Sequence, residues 1–329
     1  MDITRFMSAH RKFLLVGLVV LIVVFIATLS LWAGAYNVRV LTSVLIYVVL
    51  AVSWAMFSGT TGYMSLAPAA FFGVGIYAMA LLQKELPFFL IIAIGGAICF
   101  AFALLVGLVT LRLRGIYFAI FTFGLVVFMT EVVQYLETRL TGAHGQTIIP
   151  IDNNTLLYIA LGLVVLAVLA AYFVRRSRYG LALLSIGGNE EAAEHMGVNT
   201  TMVKVLFFAI SSIFMGAAGV IAAPTLIYVN SNIAFSPFYS FMPILMAIFG
   251  GMGHLFGPVV GALIFGYLER MLRSQLFTYF MLGFGIIMVL VILFLPNGIV
   301  GLVPMLQDKL GGVIRRLRKG GRGERHANT

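Results

Sequence analysis

Long stretches of this chain carry no charge. No Asp, Glu, Lys or Arg occurs between Lys12 and Arg39, Arg39 and Lys84, Glu85 and Arg112, Asp152 and Arg175, Lys204 and Glu269, or Arg273 and Asp308. A helix needs about 20 apolar residues to cross a bilayer, so each run holds one or more spans. The run after Arg114 reaches Glu131 and continues into another. Working spans are 13–33, 37–58, 68–83, 87–110, 115–136, 154–174, 203–223, 239–251, 256–269 and 277–295. The expected fold is all-α: a polytopic inner-membrane helical bundle of about eight to ten spanning helices. Runs this continuous do not fit barrel strands, which alternate over about 10 residues. Composition agrees, with 62% hydrophobic and 10% charged residues, where a soluble domain carries about a quarter charged.

The first span reads as uncleaved, because Phe13–Ala33 is longer than a signal-peptide core and no A-x-A site follows. Cys99, the single cysteine, excludes intrachain disulfides and cysteine metal sites and reads as a small buried hydrophobe. The net charge of +10 is a flanking pattern, not a nucleic-acid signal. Arg5, Arg11 and Lys12 precede the first span, and a basic run from Lys309 to Arg325 follows the last, so both termini are expected in the cytoplasm. That tail is expected to lie on anionic lipid. Arg270 and Arg273 would then face the exterior, against the rule, unless a segment near 239–269 is re-entrant. The chain divides into an N-terminal segment with the first span (1–36), a transmembrane domain (37–303) with a cytoplasmic loop at 175–203, and a basic tail (304–329).

Two stretches share a design. "GTTGYMSLAPAAFFGVG" (Gly59–Gly75) and "GGMGHLFGPVVGALIFG" (Gly250–Gly266) are glycine-rich breaks followed by a proline and a short apolar helix, with Pro258 matching Pro68. Such segments at corresponding places in two halves point to an internal repeat beside a pathway, or else are ordinary loops before helices. The candidate path residues are Tyr63, Ser65, Pro68, Phe71 and Thr122 with Gly251, Gly253, His254 and Pro258. Glu131, an ionisable group in a span, is either on a pathway or at an interfacial helix end.

Catalytic signals are nearly absent. No histidine pair has metal spacing, and neither a P-loop nor a G-x-S-x-G elbow occurs. The chain reads as a non-enzyme that binds no cofactor or metal. The odd block is "NEEAAEHMGVN" (Asn189–Asn199), which holds three of the chain's eleven acidic residues. Asn189 suits an N-cap, and Glu190 and Glu191 lie on the positive end of the helix dipole. Ala192, Ala193 and Met196 form a small apolar stripe, and Gly197 supplies the left-handed stop. Two turns are too short to persist alone, so the helix must dock on its own chain or on another protein.

"SRYGLALLSIGGNEEAAEHMGVN" strongly resembles the cytoplasmic coupling loop of the permease subunits of branched-chain amino acid ABC importers. "GYMSLAPAAFFGVGIYAMALL", "LRLRGIYFAIFTFG", "LTGAHG", "FGGMGHLFGPVVGALI" and "LFLPNGIVGLV" look like that family's segments in the same order. The likeness covers about residues 40–303 and is nearest to the longer of the paired permeases. It implies a second permease, two ATP-binding subunits that carry ATP and Mg, and a periplasmic or lipid-tethered binding protein. Glu190, Glu191, Ala192, Ala193, Glu194 and Gly197 would form the coupling helix. Gly62-Tyr63 stands where the family usually has Gly-Gln or a similar amide, and Ala67 where it often has His. The expected substrate is a branched-chain or other hydrophobic amino acid, with urea or a short amide as the alternative. A self-contained carrier or channel, coupled through Glu131, is the other class.

Overall fold

The computed structural model describes residues 34–140, 142, 145–275, 282–283, 285–286, 289 and 298. Working span 13–33, the N-terminal segment up to residue 33, all but five residues of working span 277–295, and the basic tail lie outside the described residues. Each of the other working spans is a helix. They are α1 (Ala35–Thr61), α2 (Pro68–Leu82), α3 (Phe88–Thr110), α4 (Ile116–Leu140), α5 (Asn153–Arg176), α8 (Thr200–Ala222), α10 (Phe238–Gly250) and α11 (Gly257–Gln275). Between α5 and α8 lie α6 (Arg178–Gly188) and α7 (Glu190–His195), and α9 (Ser231–Ala234) precedes α10. Six helical segments among the described residues are long and apolar enough to cross a membrane, and α2 is a shorter apolar helix. The fold is an all-α polytopic bundle. It also has a two-residue antiparallel ladder, β1 (Gln146–Thr147) with β2 (Tyr228–Val229), which hydropathy did not signal.

Apolarity on every side sends a helix to the middle of a bundle. In α1 the most hydrophobic window is 83% buried, whereas the windows of α3, α4 and α5 are only 22–28% buried and present apolar side chains outward. A second inner helix is α8, which packs on α1, α2 and α3. Lipid tails are as apolar as Leu, so helices in a bilayer gain by close backbone approach at small residues. A methyl placed on Gly75 of α2 would lie 2.0 Å from the carbonyl oxygen of Gly216 in α8. One on Gly219 would lie 2.1 Å from that of Phe72. Ser212 Oγ adds a cross-helix bond to the Cys99 carbonyl at 2.9 Å.

The two glycine-proline breaks join α1 to α2 and α10 to α11. Pro68 opens α2, where its missing N–H costs nothing. Non-helical backbone inside a membrane protein must find partners within the protein. In the first break, Trp54 Nε1 donates to the Ser65 carbonyl at 2.8 Å. The Leu66 N–H donates to Thr122 Oγ1 at 3.0 Å, and Ser240 Oγ donates to the Leu66 carbonyl at 2.8 Å. In the second, the Arg175 guanidinium donates to the carbonyls of Met252 and Gly253 at 2.8 and 3.0 Å. The breaks lie side by side, since a methyl on Gly59 would meet Met252 at 3.5 Å. Both occupy the end of the bundle that carries α6 and α7, where a methyl on Gly187 of α6 would sit 2.5 Å from the Thr60 carbonyl.

Gly75→Val should therefore lower the midpoint of thermal unfolding in detergent, at the upper end of the roughly 1–3 kcal/mol that overpacking costs. Gly124→Val, where nothing lies within 4 Å, should leave it unchanged.

Candidate functional site: a short helix docked on the bundle

The acidic block folds as the sequence predicts, into the single short helix α7. Asn189 Oδ1 accepts the Ala192 N–H at 3.1 Å and caps the first turn. At the other end Gly197 has φ +86°. Its N–H donates to the Glu194 carbonyl at 2.9 Å, and the Val198 N–H donates to the Ala193 carbonyl at 3.1 Å. This paired arrangement satisfies the last carbonyls of the helix and needs a left-handed residue at that point.

The expected apolar stripe is divided. Ala193 is fully buried against the bundle, whereas Ala192 is exposed and Met196 is 72% exposed. The physical reason is that α7 is held inward mainly by polar contacts. Glu190 turns under the helix and meets Lys204, in the first turns of α8, at 2.5 Å. Tyr63, in the first break, donates its hydroxyl to the other carboxylate oxygen of Glu190. Lys204 Nζ also donates to Tyr63 Oη at 3.2 Å and to the Leu111 carbonyl, just past α3, at 3.1 Å. An ammonium has three donors, and here each has an acceptor. The cluster thus joins four segments: α7, the first break, the end of α3 and the start of α8.

Burial makes these contacts count. The Lys204 and Glu190 side chains are only 3% and 12% exposed. Partial burial would by itself raise the Glu190 carboxyl. The hydrogen bonds from Lys204 and Tyr63, with the charges of Lys204 and Arg114, outweigh it and hold the group below the usual carboxylate range. Burial, and then the hydrogen bond to Glu190, push the Tyr63 phenol well above its ordinary value, so it remains a donor. Two outer contacts flank the cluster. Arg114 pairs with Glu191 at 3.1 Å in full view of solvent, and Thr200 Oγ1 donates to Glu194 at 2.6 Å.

The other sequence candidates fall into three groups. Ser65, Pro68 and Thr122 are buried at the first break, continuous with Tyr63, and Phe71 packs beside them against Phe208 at 5.4 Å between ring centres. Gly251 and Pro258 are buried at the second break, where Gly253 and His254 are exposed. Glu131 stands apart, exposed on α4 and roughly 22 Å along the helix from Ile116 at 1.5 Å per residue.

The family described as "Branched-chain amino acid transport system / permease component" matches residues 36–292. The chain belongs to this family. The permease is 28% identical to the high-affinity branched-chain amino acid transport system permease protein LivM of Escherichia coli K12, over 92% of this chain and 77% of that protein. LivM of Salmonella typhimurium LT2 is also 28% identical, over 83% and 71%. The ribose import permease protein RbsC of Haemophilus influenzae is 29% identical over 32% of the permease and 33% of its own length. No solved structure matches the permease.

Lys204, Leu111 and Arg175 were missed as site residues by sequence reasoning. The available signal was Lys204 itself, a lone cation one turn inside an apolar run. Because the Glu190 carboxyl is held low, its share of docking stability is present above the ordinary carboxylate range and is lost as pH falls through its lowered value. Amide exchange across residues 190–197 should therefore stay slow through neutral and mildly acid pH and rise only in stronger acid. Lys204→Met should speed that exchange already at pH 7, by on the order of 3 kcal/mol of lost protection for a carboxylate left desolvated and unpaired. Tyr63→Phe should cost only about 1 kcal/mol.

Proposed function

We propose that this permease is the membrane subunit of an ATP-driven importer and that α7 is its coupling helix. The observation that carries this reading is the two-sided character of α7. Its inner side is fixed to three parts of the bundle through Glu190 and Ala193. Its outer side leaves Glu191, Ala192 and Met196 exposed, on a helix with no stability of its own. Such a helix passes a push from a partner directly into the Tyr63 break and the start of α8. With the α7 end in the cytoplasm, both termini are cytoplasmic, and the partners are a second permease, two subunits that bind ATP and Mg, and an external binding protein.

The substrate this reading favours is a branched-chain or other hydrophobic amino acid. The relatives matched over most of the chain are named for branched-chain amino acid transport, while the ribose permease covers about a third of it. The buried surroundings of Ser65, Phe71 and Thr122 are aromatic and apolar, which suits a small solute with an apolar body that must leave as easily as it enters.

Glu191 reaches solvent and pairs with the equally exposed Arg114, so Glu191→Lys should leave folding and membrane insertion intact. It should reduce substrate-stimulated ATP hydrolysis by the assembled complex to the basal rate. Gly197→Pro, which removes the left-handed stop, should do the same. Normal transport by a Glu191→Lys complex would contradict the coupling role.

A further inference from the structure

The end of the bundle opposite α7 holds a cavity of about 270 Å³ that none of the preceding roles uses. Its mouth is charged. Arg39 stands at the start of α1, and Glu269, Arg270 and Arg273 come from the last turns of α11. Three arginines against one glutamate leave an excess of positive charge. Arg270 and Arg273 run against the positive-inside pattern, and their placement needs a reason other than topology. Arg273 Nε donates to Glu269 Oε1 at 2.7 Å, and Glu269 is 4% exposed. Arg270 Nη2 donates to Ser43 Oγ at 3.0 Å, yet its buried Nε has no hydrogen-bond partner among the described residues. A buried donor without an acceptor is costly, and in native structures it marks a role or a missing partner. A guanidinium presents its donors in a planar fork that matches a carboxylate.

Deeper in, the lining turns apolar. Ile46 of α1 and Leu226 line the sides. The floor is Phe72 of α2 against Tyr239 of α10, with ring centres 4.5 Å apart. Just beyond that floor, Ser240 holds Leu66 and Ala69 of the first break. The cavity therefore points from the far end of the bundle toward the element that α7 grips. Its volume lies near the lower limit of about 300 Å³ for ligand sites, which fits a solute of amino-acid size.

We propose that this cavity is the outer receiving site for an α-amino acid, with the carboxylate on Arg270, the ammonium on Glu269 and the apolar side chain against Ile46 and Phe72. The assignment rests on the importer reading above, which places this end outside. The juxtaposition of both signs favours a zwitterion over a simple phosphate, because only a ligand that carries an ammonium beside its anionic group has a use for Glu269 next to Arg270.

The test uses the complete transporter in proteoliposomes with its binding protein and a diazirine analogue of leucine. Photolysis should place adducts on Ile46, Phe72 or Leu226, mapped by mass spectrometry and competed by leucine. Arg270→Gln should cut both these adducts and maximal leucine uptake at least about tenfold, the loss of one charge-assisted bond, while the KM for liganded binding protein stays unchanged. Arg270→Lys should fall between. If Arg270→Gln does not assemble, Ile46→Trp should fill the cavity and abolish the adducts in an assembled complex. Adducts found only elsewhere while uptake is intact overturn the proposal. So does an Arg270→Gln complex whose KM for binding protein rises with adducts unchanged, which would make this end a docking face. A wild-type complex that takes up no leucine, isoleucine or valine overturns the substrate reading itself, and this proposal with it.

Discussion

A carboxylate and an ammonium withdrawn from water must satisfy each other or drive their segments apart. Glu190 and Lys204 meet that demand at 2.5 Å, with Tyr63 and the Leu111 carbonyl completing the donors and acceptors. Little else holds α7 in place, because a two-turn helix has no margin of its own and buries only Ala193. The pairing is costly to break on one side and cheap to replace on both, which is the usual behaviour of buried ion pairs. It converts a weak surface helix into a rigid contact with the membrane bundle.

What α7 grips is as constrained as the grip. A bilayer offers no hydrogen bonds to a broken helix, so each break is supplied by side chains from elsewhere: Trp54, Thr122 and Ser240 at the first, Arg175 at the second. These supports come from α1, α4, α10 and α5, so movement of either break must be shared with several spans. The interior beneath is packed at backbone contact, as at Gly75 against Gly216, and such an interface has few intermediate arrangements. A bundle built this way rearranges between discrete packings when pushed at a few points.

Local features were legible in the sequence. The spans follow from uncharged runs, and the described ones lie close to the helices observed. Asn189 and Gly197 announced both ends of α7 because capping is decided within a few residues. The Tyr63–Glu190 bond was not legible, since its partners are 127 positions apart and no periodicity links them. Lys204 looked like the edge of an apolar run, and only three-dimensional proximity turns it into the counter-ion of Glu190. Charge in a span does not by itself fix burial. Glu131 drew attention, yet it is exposed, while Glu137 on the same helix is buried and accepts the Tyr77 hydroxyl at 2.9 Å. Six residues of helix separate an exposed acid from an enclosed one, and neighbouring helices decide which is which. The division of the Ala192, Ala193 and Met196 stripe has the same origin.

The central claim is that the Glu190–Lys204 pair carries force between α7 and the bundle. A double-mutant cycle on the reconstituted transporter tests it directly, using solute moved per ATP hydrolysed as the readout for Glu190→Gln, Lys204→Met and the two combined. The account predicts strong non-additivity, with each single change lowering the ratio severely and the combined change recovering much of it, because no buried charge is left unpaired. Additive losses, or single variants that transport with the wild-type ratio, would show that the pair does not link the helix to transport.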